Sequence, residues 1–150
     1  MIDVAIQRPW VRQFEPEDAF KVQNRDGDQS SVDVVLAQAA GGPAFTAVLG
    51  EQPIALGGIV IPWPGMGMCW MVLSDEADPY MAWLSITTRR FMLAAVKDYS
   101  LHRVEAVAMQ ESAKNQQWLE WLGFTREVNG VAQAYLTDKR NMIRYEWIGG

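Results

Sequence analysis

The chain has 150 residues, the length of one domain (residues 1–150), and it can bury a core without disulfides. Its composition, 49% hydrophobic and 21% charged, is that of a soluble globular protein, and no apolar run approaches the roughly 20 residues that span a bilayer. A net charge of −5 disfavours nucleic acid as a partner. The N-terminal residues lack the apolar core of a signal peptide, so we expect a cytosolic protein without membrane contact.

The first third of the chain predicts one strand and two helices. A short extended stretch runs from Trp10 to Phe14, and Pro16–Asp18 provides the proline and acids that suit a first helical turn. A second helix is expected from about Val32 to Ala40, where Gly41–Pro43 ends it.

The middle of the chain predicts three strands and a long helix. The strands are Ala44–Leu49, Ile54–Trp63 and Met68–Asp75, and the glycines and prolines in their turns favour an antiparallel meander. From about Met81 to Tyr99, apolar residues recur at helical spacing.

The last third predicts a strand, a helix and two further strands. The strand His102–Met109 precedes a helix that Ser112 can cap and Gly123 can end. A strand begins near Phe124, Asn129–Gly130 is placed in a loop, and Met142–Ile148 alternates as a strand does.

The order of these elements predicts a mixed α/β fold. Because a helix between two strands implies a parallel crossover, the strands Met68–Leu73 and Arg103–Ala108 should be parallel and the other pairs antiparallel. The expected architecture is a mostly antiparallel sheet with helices on both faces.

This order, together with the segment SAKNQQWLEWLGF (Ser112–Phe124), resembles the GNAT superfamily of N-acetyltransferases over about residues 10 to 148. Those acyl-CoA N-acyltransferases carry the pattern N-x-x-A-x-x-L-Y-E-K-L-G-F, in which Ser112 takes the position of the Asn and Leu119 that of the Tyr. The resemblance implies a GNAT-like fold and acetyl-CoA held in a V-shaped opening between the fourth and fifth strands.

The chemical features of that superfamily are only partly present. Its diphosphate loop, Q/R-x-x-G-x-G/A, corresponds to a stretch without glycine that carries the acids Asp75, Glu76 and Asp78. Leu119 cannot replace the tyrosine that usually protonates the leaving thiolate, although Tyr135 lies where the family often has another tyrosine. No glutamate lies on the fourth strand as a base.

An active enzyme would therefore need substitutes. Tyr135 would serve as the acid, and Asp75, Glu76 or Glu105 would act as a base through water. Backbone groups of Leu73 and Ser74, together with Asn115, would contact the pantetheine chain. The missing groups favour a degenerate site without a cofactor, and acetyl-CoA remains the cofactor of the active alternative.

Two further segments are similar to GNAT-like internal virion or assembly proteins of short-tailed phages: ALGG (Ala55–Gly58) and CWMVLSD (Cys69–Asp75). This resemblance implies a role in virion structure or assembly through contacts with other virion or assembly proteins. It places the chain in the host cytoplasm or in the virion. The alternative is an active acetyl-CoA-dependent N-acetyltransferase that acts on an amine.

Several residues keep two interpretations. Trp63, between two prolines at a hairpin tip, is either an interface anchor or packed within the chain, and Trp121 covers the sheet edge or meets a partner, which includes a second copy. Gly57–Gly58 is interpreted as a bulge in preference to a ligand approach. Cys69 is expected in the core and His102 on the surface. No cluster has the spacing of metal ligands.

Overall fold

A computed structural model of the chain describes residues 8–23, 32–109, 112–132 and 142–149. Within these ranges seven strands and three α-helices are formed, and two 3-10 helices cover Pro16–Phe20 and Asp75–Tyr80, the latter named the acidic segment. The elements are β1 (Pro9–Gln13), α1 (Val32–Ala40), β2 (Ala44–Leu49), β3 (Gln52–Trp63), β4 (Met66–Leu73), α2 (Met81–Asp98), β5 (Arg103–Met109), α3 (Ala113–Leu122), β6 (Thr125–Ala132) and β7 (Met142–Ile148).

The strands form one sheet in the order β1-β2-β3-β4-β5-β7-β6. Neighbouring strands are antiparallel except β4 and β5, which are parallel, so the crossover prediction is confirmed. The two parallel strands pair at three positions, from Met66 opposite Arg103 to Met68 opposite Glu105.

Helices pack on both faces of the sheet, as expected. On one face, α1 and the 3-10 helix Pro16–Phe20 cover a cluster that includes Leu56, Trp70 and Val72. On the other face, α2 and α3 cover a cluster that joins Met92 and Leu119 to residues of β5 and β7. None of the helices in the described ranges combines the length and apolar character that a membrane span requires.

The segment before α1 differs from its prediction. Instead of a full helix, Pro16–Phe20 makes a single 3-10 helix whose Asp18 is fully buried. The Asp18 carboxylate accepts hydrogen bonds from Arg12 and from the Glu15 backbone N–H. The segment is therefore anchored to the sheet by the ion pair of Asp18 with Arg12 as well as by the buried side chains of Ala19 and Val22.

Two loop and bulge predictions are wrong. Asn129–Gly130 lies within β6, where a register shift between Arg126 and Val131 accommodates the extra residues. Gly57 and Gly58 pair in regular register with both neighbouring strands. They are glycines because rings pack on them: a Cβ at Gly57 would lie 2.8 Å from the Phe45 ring, and one at Gly58 would lie 2.7 Å from Trp70 Nε1.

The end of α3 follows its prediction. Gly123 caps the helix in the left-handed region with φ of 107°, and its N–H donates to Glu120 and Leu119 carbonyls.

We expect Gly123→Ala to lower the free energy of unfolding by about 1–2 kcal/mol, because an L-residue is strained there. The nearest atom to an added Cβ is Trp147 Cδ1 at 3.9 Å, so the loss would be conformational. Urea denaturation measures it, and an unchanged midpoint would contradict it.

Candidate functional site

The sheet contains one V-shaped opening among the described strands, between β4 and β5. After Met68 and Glu105 the two strands separate. From there β4 continues on β3 as far as Leu73 opposite Ala55, and β5 continues on β7 as far as Met109 opposite Met142. The acidic segment and α2 follow directly from the β4 side of this opening, and α3 follows from the β5 side.

On the β4 side, Leu73 and Ser74 are both buried. The Ser74 hydroxyl donates to the Ile54 carbonyl at 2.8 Å, and its backbone N–H donates to the same oxygen at 3.1 Å. Both donors of Ser74 are therefore engaged with β3. The role of Leu73 and Ser74 as pantetheine contacts stays a prediction, and Ser74 would have to break one of these bonds to act there as a donor.

The acidic segment uses backbone donors that an anion would need. The Ala77 N–H donates to the Ser74 carbonyl at 3.1 Å, and the first amide of α2, from Met81, donates to the Asp78 carbonyl. The Glu76 backbone N–H binds the Glu76 carboxylate and lowers the pKa of that group. Pro79 has no N–H. The 3-10 turn thus caps α2 from within the chain and leaves these amides engaged.

Charge at the same place opposes an anion as well. Asp75, Glu76 and Asp78 are exposed within the acidic segment, while Ala77 between them is buried. A helix N-terminus normally attracts phosphate through free N–H groups and the helix dipole. Here the first turn of α2 itself carries no acid, but three carboxylates precede it in the acidic segment and would repel a phosphate that approached the helix N-terminus.

A hydrogen bond joins the two helices that flank the opening. Trp118 of α3 donates from Nε1 to Ser85 Oγ at 2.6 Å, and the Ser85 hydroxyl donates to the Met81 carbonyl at 2.6 Å. Ser85 is buried and lies one turn into α2. This Trp118–Ser85 bridge links the start of α2 to α3.

Trp118→Phe tests the bridge. The ring volume is largely retained while the N–H is lost, so the free energy of unfolding should fall by about 1 kcal/mol, the usual contribution of one hydrogen bond. Chemical denaturation followed by circular dichroism measures it. Trp121→Phe, at an exposed position of the same helix, is the control and should change stability by less than half as much. Equal effects of the two changes would contradict the bridge.

The predicted residues of α3 serve the helix and the core. The Asn115 backbone N–H donates to Ser112 Oγ at 3.4 Å, which confirms Ser112 as the N-cap. Leu119 is buried beside Leu122 and Phe124, so it is a core residue. The pantetheine role of the Asn115 side chain stays a prediction. Tyr135, the candidate acid, lies outside the described residues.

Glu105 is the last residue of β5 that pairs with β4, and it belongs to a cluster of five charged residues. Since Val104 and Ala106 pack in the core with α3, Glu105 points to the other face of the sheet. Its carboxylate accepts from Arg103 Nε at 2.9 Å. Arg103 also donates to Glu146 and Glu127, and Arg144 lies 3.4 Å from Glu127.

Hydrogen bonds that Arg103 donates to Glu105 and Glu146 raise the pKa of Arg103, so its guanidinium stays charged at any ordinary pH. The contact with Arg103 uses Glu105 Oε1, so a proton from an amine would have to reach Oε2 of a carboxylate that is already paired. Its role as a base stays a prediction.

The remaining candidates are placed as expected. Cys69 packs at the edge of the core, where burial raises the pKa of its thiol to about 12, so it is not a thiolate at neutral pH. His102 is exposed, and its imidazole ring packs against the backbone of Gly65. Among the described residues, no group of His, Cys, Asp and Glu could hold a metal ion.

Both interface candidates are exposed. Trp63 is 59% exposed at the end of β3 and Trp121 is 51% exposed on α3. The Arg89 guanidinium carbon lies 5.9 Å from the centre of the Trp121 ring, a cation–π contact between α2 and α3. Contact of either tryptophan with a partner stays a prediction.

Sequence patterns gave no signal for the Trp118–Ser85 bridge. Trp118 packs half-buried against the core, where a tryptophan usually finds an acceptor for its N–H, but the sequence does not indicate which one. The acceptor is 33 residues away in the chain, on another helix.

Comparison with known proteins identifies the fold. No protein-family model and no curated protein matches the sequence. Solved structures match over nearly the whole chain. Ard1 from Thermoplasma volcanium matches with a TM-score of 0.79 and 11% identity over 93% of this chain and 97% of that one. A mutant of the spermidine N-acetyltransferase SpeG from Vibrio cholerae matches with 0.73 and 13% over 93% of each chain.

An acetyltransferase of the GNAT family from Streptococcus pneumoniae matches with a TM-score of 0.69 and 16% identity over 95% of this chain and 100% of that one. The seven-stranded, mostly antiparallel sheet with helices on both faces is therefore the GNAT acyltransferase fold, as the order of elements predicted.

Proposed function

We propose that the chain keeps the GNAT fold without holding a coenzyme A diphosphate at the start of α2. It acts instead through protein contacts in the structure or assembly of a virus particle. The observation that supports this most is the acidic segment, whose amides at Ala77 and Met81 donate to the chain's own carbonyls.

The residues at the start of α2 do not fit a diphosphate. To bind there, the ligand would displace backbone hydrogen bonds, each worth about 1 kcal/mol. It would also approach three carboxylates within about 8 Å, the screening length at physiological salt. The acidic segment contains no glycine and no basic residue that could offset the lost hydrogen bonds or the charge repulsion.

The virion role is supported by the ALGG and CWMVLSD segments and by the exposed tryptophans Trp63 and Trp121. Exposed tryptophans are frequent anchors of protein interfaces. The expected partners are other virion or assembly proteins, together with a second copy of the chain.

One observation favours the alternative, an active acetyl-CoA-dependent N-acetyltransferase. The separation of β4 and β5 after Met68 and Glu105 provides the opening in which such a coenzyme would lie, and several proteins of the same fold are named acetyltransferases. In this case Tyr135 and Glu105 would carry the proton transfers, and Leu73, Ser74 and Asn115 would hold the pantetheine.

An acetyl-transfer assay separates the two. Coenzyme A thiol release is followed with acetyl-CoA and a panel of amines: a polyamine, a peptide with a free N-terminus and a lysine peptide. We expect no release above the uncatalysed rate. Turnover that Tyr135→Phe abolishes would establish the alternative.

The assembly role is tested on particles. In an infection that supplies the chain, purified particles or their assembly intermediates should contain it at a constant copy number through repeated gradients. Its absence from both would contradict the assembly role without bearing on the coenzyme.

A further inference from the structure

The outer face of α2 is exposed along its whole length. One stripe of the helix, at spacings of three, four and seven residues, points away from the sheet, and all its members are exposed: Ala82, Ile86, Arg89, Arg90, Leu93 and Lys97. The opposite stripe is buried, with Leu84, Met92 and Ala95 in the core. Ile86 and Leu93, 47% and 46% exposed, form the apolar centre of this outer stripe.

Charge along this stripe and the preceding acidic segment is segregated. The acids Asp75 and Glu76 are exposed at the N-terminal end. Between Met81 and Lys97 there is no acid, and the bases are Arg89, Arg90 and Lys97. The exposed Asp98 follows Lys97 at the end of α2 but lies about 100° further round the helix, off this stripe. The stripe is thus basic on a chain of net charge −5, and its sign reverses at one end.

We propose that the outer stripe of α2 is a contact between two copies of the chain, packed antiparallel about a two-fold axis near Ile86. Each helix is about 27 Å long at 1.5 Å per residue. With the axis at that point, Ile86 meets Ile86 of the second copy and Leu93 meets the second copy's Pro79. Lys97 then lies beside Asp75 and Glu76 of the second copy.

Charge complementarity selects a second copy as the occupant. A two-fold contact needs a surface that complements itself when reversed. Acid at one end, an apolar centre and base at the other end satisfy that condition. A polyanion or an anionic membrane would be attracted by Arg90 and Lys97 but repelled at the acidic end of the same stripe.

Arg89 lies at the rim of this contact, held against the Trp121 ring. An arginine fixed on an aromatic ring is already ordered, so less conformational entropy is lost when a partner packs beside it. The contact does not depend on the coenzyme, so its failure would leave the acetyl-transfer result unaffected.

Sedimentation equilibrium over a range of protein concentrations tests the apolar centre. The wild-type chain should show a mass that rises to that of a dimer. Ile86→Glu combined with Leu93→Glu should raise the dissociation constant at least about tenfold, which corresponds to the loss of one well-buried apolar side chain. Val107→Glu, at a 39% exposed residue of β5, is the matched control and should leave it unchanged. A wild-type chain that stays monomeric, or a dimer indifferent to the double change, would overturn the proposal.

Charge reversal tests the antiparallel order. Lys97→Glu alone and Glu76→Lys alone should each weaken the dimer several-fold, because each places like charges together. Both changes in the same chain should give a tighter dimer than Lys97→Glu alone, since one pair is re-formed with reversed sign while Asp75 keeps its charge. If these residues acted only on the helix dipole, the double change would be the least favourable of the three. Absence of recovery in the double variant would overturn this arrangement.

Discussion

Replacement of Asp18 by alanine should lower the free energy of unfolding by about 3–5 kcal/mol, the usual result of removing one partner of a buried ion pair. The Asp18 side chain is fully buried, and Arg12 donates to its two oxygens at 2.7 and 2.8 Å. Thr46, also fully buried, donates at 2.7 Å, and the Glu15 N–H donates at 2.9 Å. Alanine would leave these four donors without their acceptor. Urea denaturation at pH 7 measures the loss.

Asp98→Ala is the control, because Asp98 is an exposed aspartate at the end of α2, and it should change stability by less than about 0.5 kcal/mol. A loss below about 1 kcal/mol for Asp18→Ala would show that this pair contributes no more than a surface ion pair.

The same group gives stability a dependence on pH. Burial alone would raise the pKa of Asp18, but hydrogen bonds from Arg12, the Glu15 N–H and Thr46 outweigh it and lower the pKa below the ordinary value of 3.8. A carboxylate whose folded pKa is depressed stabilises the protein fully above its unfolded pKa. That contribution is lost as the pH falls through the folded value. Between about pH 4 and pH 2, the wild type should therefore lose more stability than Asp18→Asn.

Leu84→Ala should have the second large effect, a loss of about 2–5 kcal/mol. Leu84 is fully buried and packs in a cluster with Leu73 and Ala77, so it attaches the first turn of α2 to the end of β4 and to the acidic segment. Alanine would leave a cavity at this junction. Thermal or chemical denaturation measures the loss.

Leu93→Ala is the matched control on the same helix, 46% exposed in the wild type. Measured at a concentration that keeps the chain monomeric, it should change stability by less than about 0.5 kcal/mol. Similar losses for the two leucines would contradict the orientation of α2 described above.

Sequence patterns predicted the helices and strands well where local chemistry determines them. The helix Val32–Ala40, the strand Ala44–Leu49 and the Gly123 cap are as predicted. The parallel pairing of β4 and β5 followed from the handedness of crossovers. The structure differs from the prediction where residues far apart in the sequence determine the conformation. The 3-10 helix around Asp18 is an example, because Asp18 accepts a hydrogen bond from Thr46, 28 residues away.

Two glycine-containing segments show the same limit. Asn129–Gly130 has the composition of a turn, yet it lies inside β6, in the stretch where the register of β6 on β7 shifts. A glycine inside a strand often indicates a bulge, yet Gly57 is a glycine because the Phe45 ring packs where its Cβ would lie. Both depend on what packs against the residue, which composition does not reveal.

For the candidate site, the sequence predicted which catalytic and phosphate-binding groups are missing. It did not predict which contacts the start of α2 makes instead. The absent glycine loop and the core position of Leu119 were predictable from residue types. The 3-10 cap on α2 and the Trp118–Ser85 bridge were not, because they depend on backbone geometry and on contact between two helices.

Titration calorimetry with acetyl-CoA tests the central claim, that the start of α2 does not hold a coenzyme diphosphate. We expect no binding heat at about millimolar ligand, which corresponds to a binding free energy weaker than about −4 kcal/mol. Micromolar binding that persists at moderate salt and is lost when the diphosphate is removed from the ligand would contradict the claim.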